Sequence, residues 1–256
     1  TFDEFLGACG EELLLEARNQ SSINNPLPEP LYKKAIDLFR TYLLVGGMPE
    51  SVAKWAETGD YIQCQTAQDD IVIGYDADFA KYKKKMNPEL LRQTLKSVVR
   101  QVGSNRFKFG DVQGYKSKEV INALDALAKA GIIVPVTHTD GHGLPLGGEE
   151  DKDCRKYLLL DTGLLLRMQD MSMNNIVLPV EVKADTQGGM KSLWSFMRDR
   201  LLTFAIRCSL DNFGSFDYLD RYANAKGGVL TAKRTVGICP LFAVSQLKII
   251  LFDFCA

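Results

Sequence analysis

Between Pro88 and Leu160 the chain carries two amphipathic helix patterns and then two strand patterns. That order constrains the fold more than any other feature. Pro88 stands where a helix tolerates proline, in its first turn, and Leu91, Leu95, Val98, Val99 and Val102 follow at helical spacing. Gly103 stops this helix, and a short element carries Phe107 and Phe109. Ser117 reads as the cap of a second helix, with Glu119 favourable in its first turn. That helix buries Val120, Ile121, Leu124, Leu127 and Ala128 and ends at Gly131. Residues 132–136 form an apolar, β-branched strand. A turn rich in glycine (Gly141, Gly143, Gly147, Gly148) leads to a returning strand over residues 156–160.

Helix, turn, helix and a two-strand hairpin is the order of a winged helix, a fold whose second helix enters a DNA groove. The charge distribution points the same way. The chain of 256 residues has a net charge of -1, but this is a sum of unlike parts. Residues 1–80 carry 5 Lys/Arg and 14 Asp/Glu, residues 81–118 carry 11 and 2, and the remainder carries 15 and 16. A positive segment of this kind attracts polyanions whatever the total charge. All the cations of this segment, including Lys81, Arg92, Lys96 and Arg100, could contact phosphates, and Lys83, Lys84, Lys85, Arg106 and Lys108 are the site candidates. Lys116, Lys118 and Asn122 face the groove if the second helix is the recognition helix. The competing reading is a scaffold, in which the basic face docks on the acidic first 80 residues.

Upstream, residues 1–18 alternate acidic and apolar groups at helical spacing and predict one short helix. A proline-rich linker follows, then a helix over residues 31–44. Gly46-Gly47 stops that helix, Pro49 starts the next, and residues 61–82 form another long helix. Downstream, a helix starts at Leu164, residues 176–184 and 205–210 read as strands, residues 191–201 as a helix and 235–244 as a strand. Strands alternating with a helix predict a small α/β layer. The start at Thr1 without methionine points to a fragment, and the apolar tail over residues 248–256 reads either as a single edge strand or as a fragment end or frame-shifted tail.

Few residues carry chemistry by pattern. Glu181 and Lys183, two apart on a strand, share a face; a carboxylate beside an ammonium suits Mg²⁺ binding at Glu181 and phosphodiester attack. The triplet Asp161-Thr162-Gly163 mimics the catalytic turn of aspartic proteases, but the pattern around it makes Asp161 a helix cap. The six cysteines include no C-x-x-C pair, so no zinc site is expected, and reduced cytoplasmic thiols are the default. No phosphate loop is present, and no apolar run approaches the ~20 residues of a membrane span.

Several motifs together resemble a known family. Residues 1–10, Gly46-Gly47-Met48-Pro49-Glu50, residues 68–75, Ala130-Gly131-Ile132-Ile133, Pro145-Leu146, Asp161 with Gly163, Pro179-Val180-Glu181-Val182-Lys183-Ala184 and Pro240-Leu241 carry the likeness. They resemble prokaryotic AAA-type ATPases that end in domain of unknown function 4143. The resemblance implies an ATP-binding domain, a winged-helix region and a module similar to PD-(D/E)xK nucleases. It places the ATPase domain before Thr1, so ATP and its Mg²⁺ belong to the longer protein and no cofactor is implied for this chain itself. Residues 167–175 stand where the family carries a helix and a strand with acidic motifs. A Mg-dependent nuclease using Glu181 and Lys183 is therefore expected to be inactive here.

The resulting expectation is an α+β protein. Residues 1–30 are a remnant joining a missing ATPase domain, residues 31–165 a helical and winged-helix domain, and residues 166–256 a reduced, restriction-endonuclease-like α/β module. The expected role is that of a cytoplasmic, non-ATPase part of an AAA-type protein. It binds DNA or docks a partner such as the ATPase domain, with enzyme activity of its own the disfavoured alternative. A membrane is not an expected partner.

Overall fold

The computed structural model describes residues 1–139, 150–170, 190–199, 201–223 and 229–246. It is a mixed α+β structure with two small sheets among the described residues. The chain divides into two compact units, Tyr42–Asn175 and Thr1–Thr41 with Ile176–Ala256. The glycine turn after residue 139 and the strand expected over residues 176–184 lie outside the described residues.

Helix α3 (Glu29–Val45), whose last residues open the Tyr42–Asn175 unit, stops at Gly46, whose φ of +78° is open to glycine at little cost. Pro49 then opens α4 (Pro49–Thr58), as its fixed φ favours. Asp60 caps α5 (Tyr61–Lys81) by accepting from Ile62 N at 2.9 Å. Asn87 caps α6 (Pro88–Arg100) by accepting from Glu89 N at 2.9 Å. Helix α7 spans Ser117–Lys129. Ser117 is its first helical residue rather than its cap, because the Glu119 carboxylate reaches back to accept from Lys116 N at 2.8 Å and fixes the start one residue earlier. Strands β1 (Ile133–Thr139) and β2 (Glu150–Leu159) pair antiparallel from Ile133↔Leu159 to Thr137↔Arg155, with a register shift after Thr137.

Helix α8 (Thr162–Met168) begins at a knot of close contacts. Asp161 Oδ1 accepts from Leu164 N at 2.9 Å and Oδ2 from Gly47 N at 2.6 Å. One carboxylate thus caps α8 and ties down the turn after α3. Both its oxygens accept from backbone N–H groups, the helix-cap arrangement expected from the sequence. A Cβ on Gly163 would lie 2.7 Å from Val45 O, and one on Gly46 would lie 2.2 Å from Asp161 Oδ1, so both positions require glycine. Gln68 donates to Leu44 O and Val45 O, satisfying carbonyls at the end of α3. Arg167 then pairs with Asp69 through two hydrogen bonds of 2.7 and 2.6 Å. The core beneath is aliphatic and aromatic: Leu91, Leu95, Val98, Leu124, Leu127 and Ile133 are each at most 5% exposed.

In the other unit, the expected single N-terminal helix is two, α1 (Phe2–Ala8) and α2 (Glu12–Asn19). Gly10, at φ +72°, turns the chain between them. Helix α9 (Lys191–Asp199) precedes a three-stranded sheet in the order β3–β5–β4. Here β3 is Phe204–Ser209, β4 is Gly214–Ala223 and β5 is Val229–Pro240. Strand β3 runs parallel to β5, and β4 antiparallel to it. Strand β5 starts six residues before the expected Thr235, and Leu241–Gln246 is a 3-10 turn instead of its continuation. The sequence pattern missed β4 altogether, because Asp217, Asp220 and Arg221 break its apolar alternation.

Candidate nucleic-acid interface

Local sequence sets the shape of the basic surface. Helix α7 buries Val120, Ala123, Leu124 and Leu127, three and four residues apart. The opposite side must then face solvent: Lys118, Ile121, Asn122, Asp125 and Lys129 are exposed. Lys116, just before the helix, is exposed as well.

A second basic run sits at the end of α5. Tyr82–Lys84 is a 3-10 turn, closed by Lys85 N donating to Tyr82 O at 2.8 Å. Lys83, Lys84 and Lys85 are all exposed. Two residues later, Asn87 Nδ2 donates to Tyr115 Oη at 3.3 Å. That bond fastens the 83–85 turn to the residue before Lys116, so two basic runs about thirty positions apart in sequence meet on one surface.

The third piece is the connection between α6 and α7. Phe107 is 5% exposed, packs edge-on against Tyr157 at 5.5 Å, and donates its N–H to Arg155 O at 2.8 Å. Its inward direction turns both neighbours, Arg106 and Lys108, outward to solvent. Gln101 holds Lys108 like a strand partner: Oε1 accepts from Lys108 N at 2.7 Å, and Nε2 donates to Lys108 O at 3.2 Å. Sequence reasoning missed Gln101 and Tyr115, since neither stands in a recognisable pattern.

All eight candidate contacts, Lys83, Lys84, Lys85, Arg106, Lys108, Lys116, Lys118 and Asn122, are therefore exposed. None of the seven cations among them forms an ion pair among the described residues. The rest of the basic segment behaves differently. Arg92 bonds to the Asp76 carboxylate, which raises its pKa above the ordinary arginine value, and it lies 3.6 Å from Glu89. Lys81 bonds to Asp78 at 2.7 Å. Lys96 and Arg100 line a cleft of about 880 Å³ together with Asp111 and Asp170, a mixed-charge surface.

Glu181 and Lys183 lie outside the described residues. Among the described residues no group of three or more His, Cys, Asp or Glu side chains could hold a metal ion. No helix among them is long and apolar enough to cross a membrane.

A family model described as Domain of unknown function (DUF8612) matches residues 36–175, more than half of the chain. The matched span contains the whole Tyr42–Asn175 unit that carries the basic surface. No curated protein and no solved structure matches the chain.

Proposed function

We propose, for a chain that belongs to the family of Domain of unknown function DUF8612, that the Tyr42–Asn175 unit binds DNA. In this reading α6, α7, β1 and β2 form a winged helix. Helix α7 lies in the major groove, where the Asn122 amide can both donate to and accept from a base edge. Lys83, Lys84, Lys85, Arg106, Lys108, Lys116 and Lys118 neutralise phosphates around it. The resemblance to AAA-type ATPases adds an ATPase domain of the same parent protein as a second partner.

One observation carries this proposal: the Asn87–Tyr115 hydrogen bond joins two exposed lysine runs at the start of α7. Charge that served only solubility would need no such fastening. The scaffold reading draws its own support from Arg92 on Asp76, which pairs the basic segment with the acidic one. That contact and the Lys81–Asp78 pair use up two cations and leave the eight candidate residues facing solvent.

Salt dependence tests the proposal. Binding of a duplex oligonucleotide should weaken as log K falls linearly with log salt, by about 0.9 per phosphate neutralised. Replacing Lys83, Lys84, Lys85, Lys116 and Lys118 by Gln should flatten the slope by several of these units. Absence of duplex binding at low salt would reject DNA binding and leave the scaffold. Substituting Asn122 by Ala should relax sequence preference while leaving the slope unchanged.

A further inference from the structure

We propose that Cys208 and Cys239 form a redox-active dithiol that a small disulfide or a hydroperoxide converts to a cross-strand disulfide. The pair lies in the β3–β5 ladder and stands independently of the DNA-binding proposal.

Geometry is the first support. Parallel strands β3 and β5 pair in a register that sets Cys208 directly opposite Cys239. Side chains of paired residues on adjacent strands project to the same face, and neighbouring strands run about 4.7–4.9 Å apart. Disulfides need Cα separations of about 4.4–6.8 Å, so the ladder brings the two residues within bonding range with no refolding. Both thiols are free.

Their unequal exposure divides the chemistry between them. Cys208 is exposed, and Cys239 is fully buried at 0%. Only Cys208 can meet an oxidant from solution. With oxidised glutathione, the Cys208 thiolate attacks one sulfur and expels one glutathione thiolate, leaving a mixed disulfide. The Cys239 thiolate then attacks Cys208 Sγ, the protein disulfide forms, and the second glutathione thiolate leaves. With a hydroperoxide, Cys208 takes one oxygen as sulfenic acid and the alcohol or water departs. Cys239 then displaces hydroxide from that sulfur, which the released proton turns to water.

The second step is the slow one. Burial, with a further contribution from the Cys208 thiol, pushes the Cys239 pKa up to about 12. The Cys239 thiol also donates to Pro240 O at 3.5 Å. Closure therefore accelerates with pH, because it needs the thiolate. Once formed, the bond would staple β3 to β5.

Mass spectrometry of the full chain tests this. The protein is incubated with oxidised glutathione, alkylated and cut with trypsin. The expected product joins peptide 208–221 to peptide 235–248, two hydrogens lighter than the separate peptides, and it separates on reduction; each peptide contains one cysteine. In Cys239→Ser the reaction should stop at glutathionylated Cys208. Stable glutathionylation of Cys208 in the wild type with no cross-link would overturn the proposal. So would a cross-link no more abundant than other cysteine pairings formed in the urea-unfolded chain. If Cys239→Ser does not fold, the wild-type closure rate decides: it should rise about tenfold per pH unit between about pH 7 and 9, and a flat profile would remove Cys239 as the buried attacking thiol.

Discussion

The two units of this molecule treat charge in opposite ways. The Tyr42–Asn175 unit builds its core from aliphatic and aromatic side chains and leaves Lys83, Lys84, Lys85, Arg106, Lys108, Lys116 and Lys118 exposed. The other unit puts ions inside. Arg18 is 1% exposed, donating to Asp3 at 2.5 Å and to Phe242 O at 3.2 Å. Asp220 and Arg234 are 0% and 2% exposed. Arg234 donates to Asp220 at 2.9 Å and to the backbone carbonyls of Met197 and Leu202. Arg198 grips the same carboxylate from α9. A buried pair of this kind adds little net stability but is costly to break, whereas an apolar core stabilises in proportion to its area. One unit is held by volume and the other in large part by partner identity. The two tryptophans report on them separately, since Trp55 lies in α4 and Trp194 in α9, stacked on Tyr218 at 4.4 Å.

The largest predicted effect breaks the ionic unit. Asp220→Ala leaves the Arg234 charge buried without its counter-ion and should cost about 3–5 kcal/mol. Urea unfolding followed through Trp194 in a Trp55→Phe background should shift by that amount. Trp55 in a Trp194→Phe background should keep its midpoint. The reverse experiment is Leu124→Ala, which empties a site of 0% exposure at the centre of α7 and should cost about 2–5 kcal/mol. This change should move the Trp55 transition and spare that of Trp194. If either substitution shifts both probes equally, the two units unfold as one and the contrast between them has no thermodynamic meaning.

The same contrast decides what could be read from the sequence. Helices α6 and α7 and the β1–β2 pairing follow from periodicity, because in an apolar core the residue's own hydrophobicity reports its direction, although Ile121, expected inside, is exposed. In α5 the apolar pattern misleads, since Ile62 and Ile73 are exposed and Gln68 is buried. Gly46-Gly47, Pro49 and the Asp161 cap were legible for a local reason, as each acts on backbone within a few residues. Strand β4 was not. Asp220 looks like a surface residue until Arg234, 14 positions on, and Arg198, 22 positions back, are brought to it. The candidate interface divides in the same manner. Its lysines were visible as charge. That Lys83, Lys84 and Lys85 adjoin Lys116 was not, because the Asn87–Tyr115 bond joining them is tertiary. Gln101 likewise gives no sign in sequence that its amide will serve as a strand partner for Lys108.

Acid titration makes the smallest perturbation and the sharpest comparison. The hydrogen bond from the Arg18 guanidinium holds the Asp3 carboxyl below its ordinary value of 3.8, and this outweighs the opposing effect of burial. The folded state therefore binds its proton less readily than the unfolded chain does. The pair's contribution is fully present above about pH 4 and is lost as the pH falls through the lowered folded value. Asp217 is shifted the same way by Lys233 and Thr235, but its exposed ion pair contributes little. All the described carboxylates with resolved downward shifts, Asp3, Glu4 and Asp217, belong to the unit with Trp194. Its urea midpoint should thus fall more steeply than that of the Trp55 unit as the pH drops below about 4, the unfolded carboxylate value. Asp3→Asn should lower the Trp194 midpoint at neutral pH, where the carboxylate is charged, and reduce its acid slope. A variant with an unchanged slope would mean that the buried Arg18 is satisfied by the Phe242 carbonyl and the Asn19 side chain, and that Asp3 is dispensable to it.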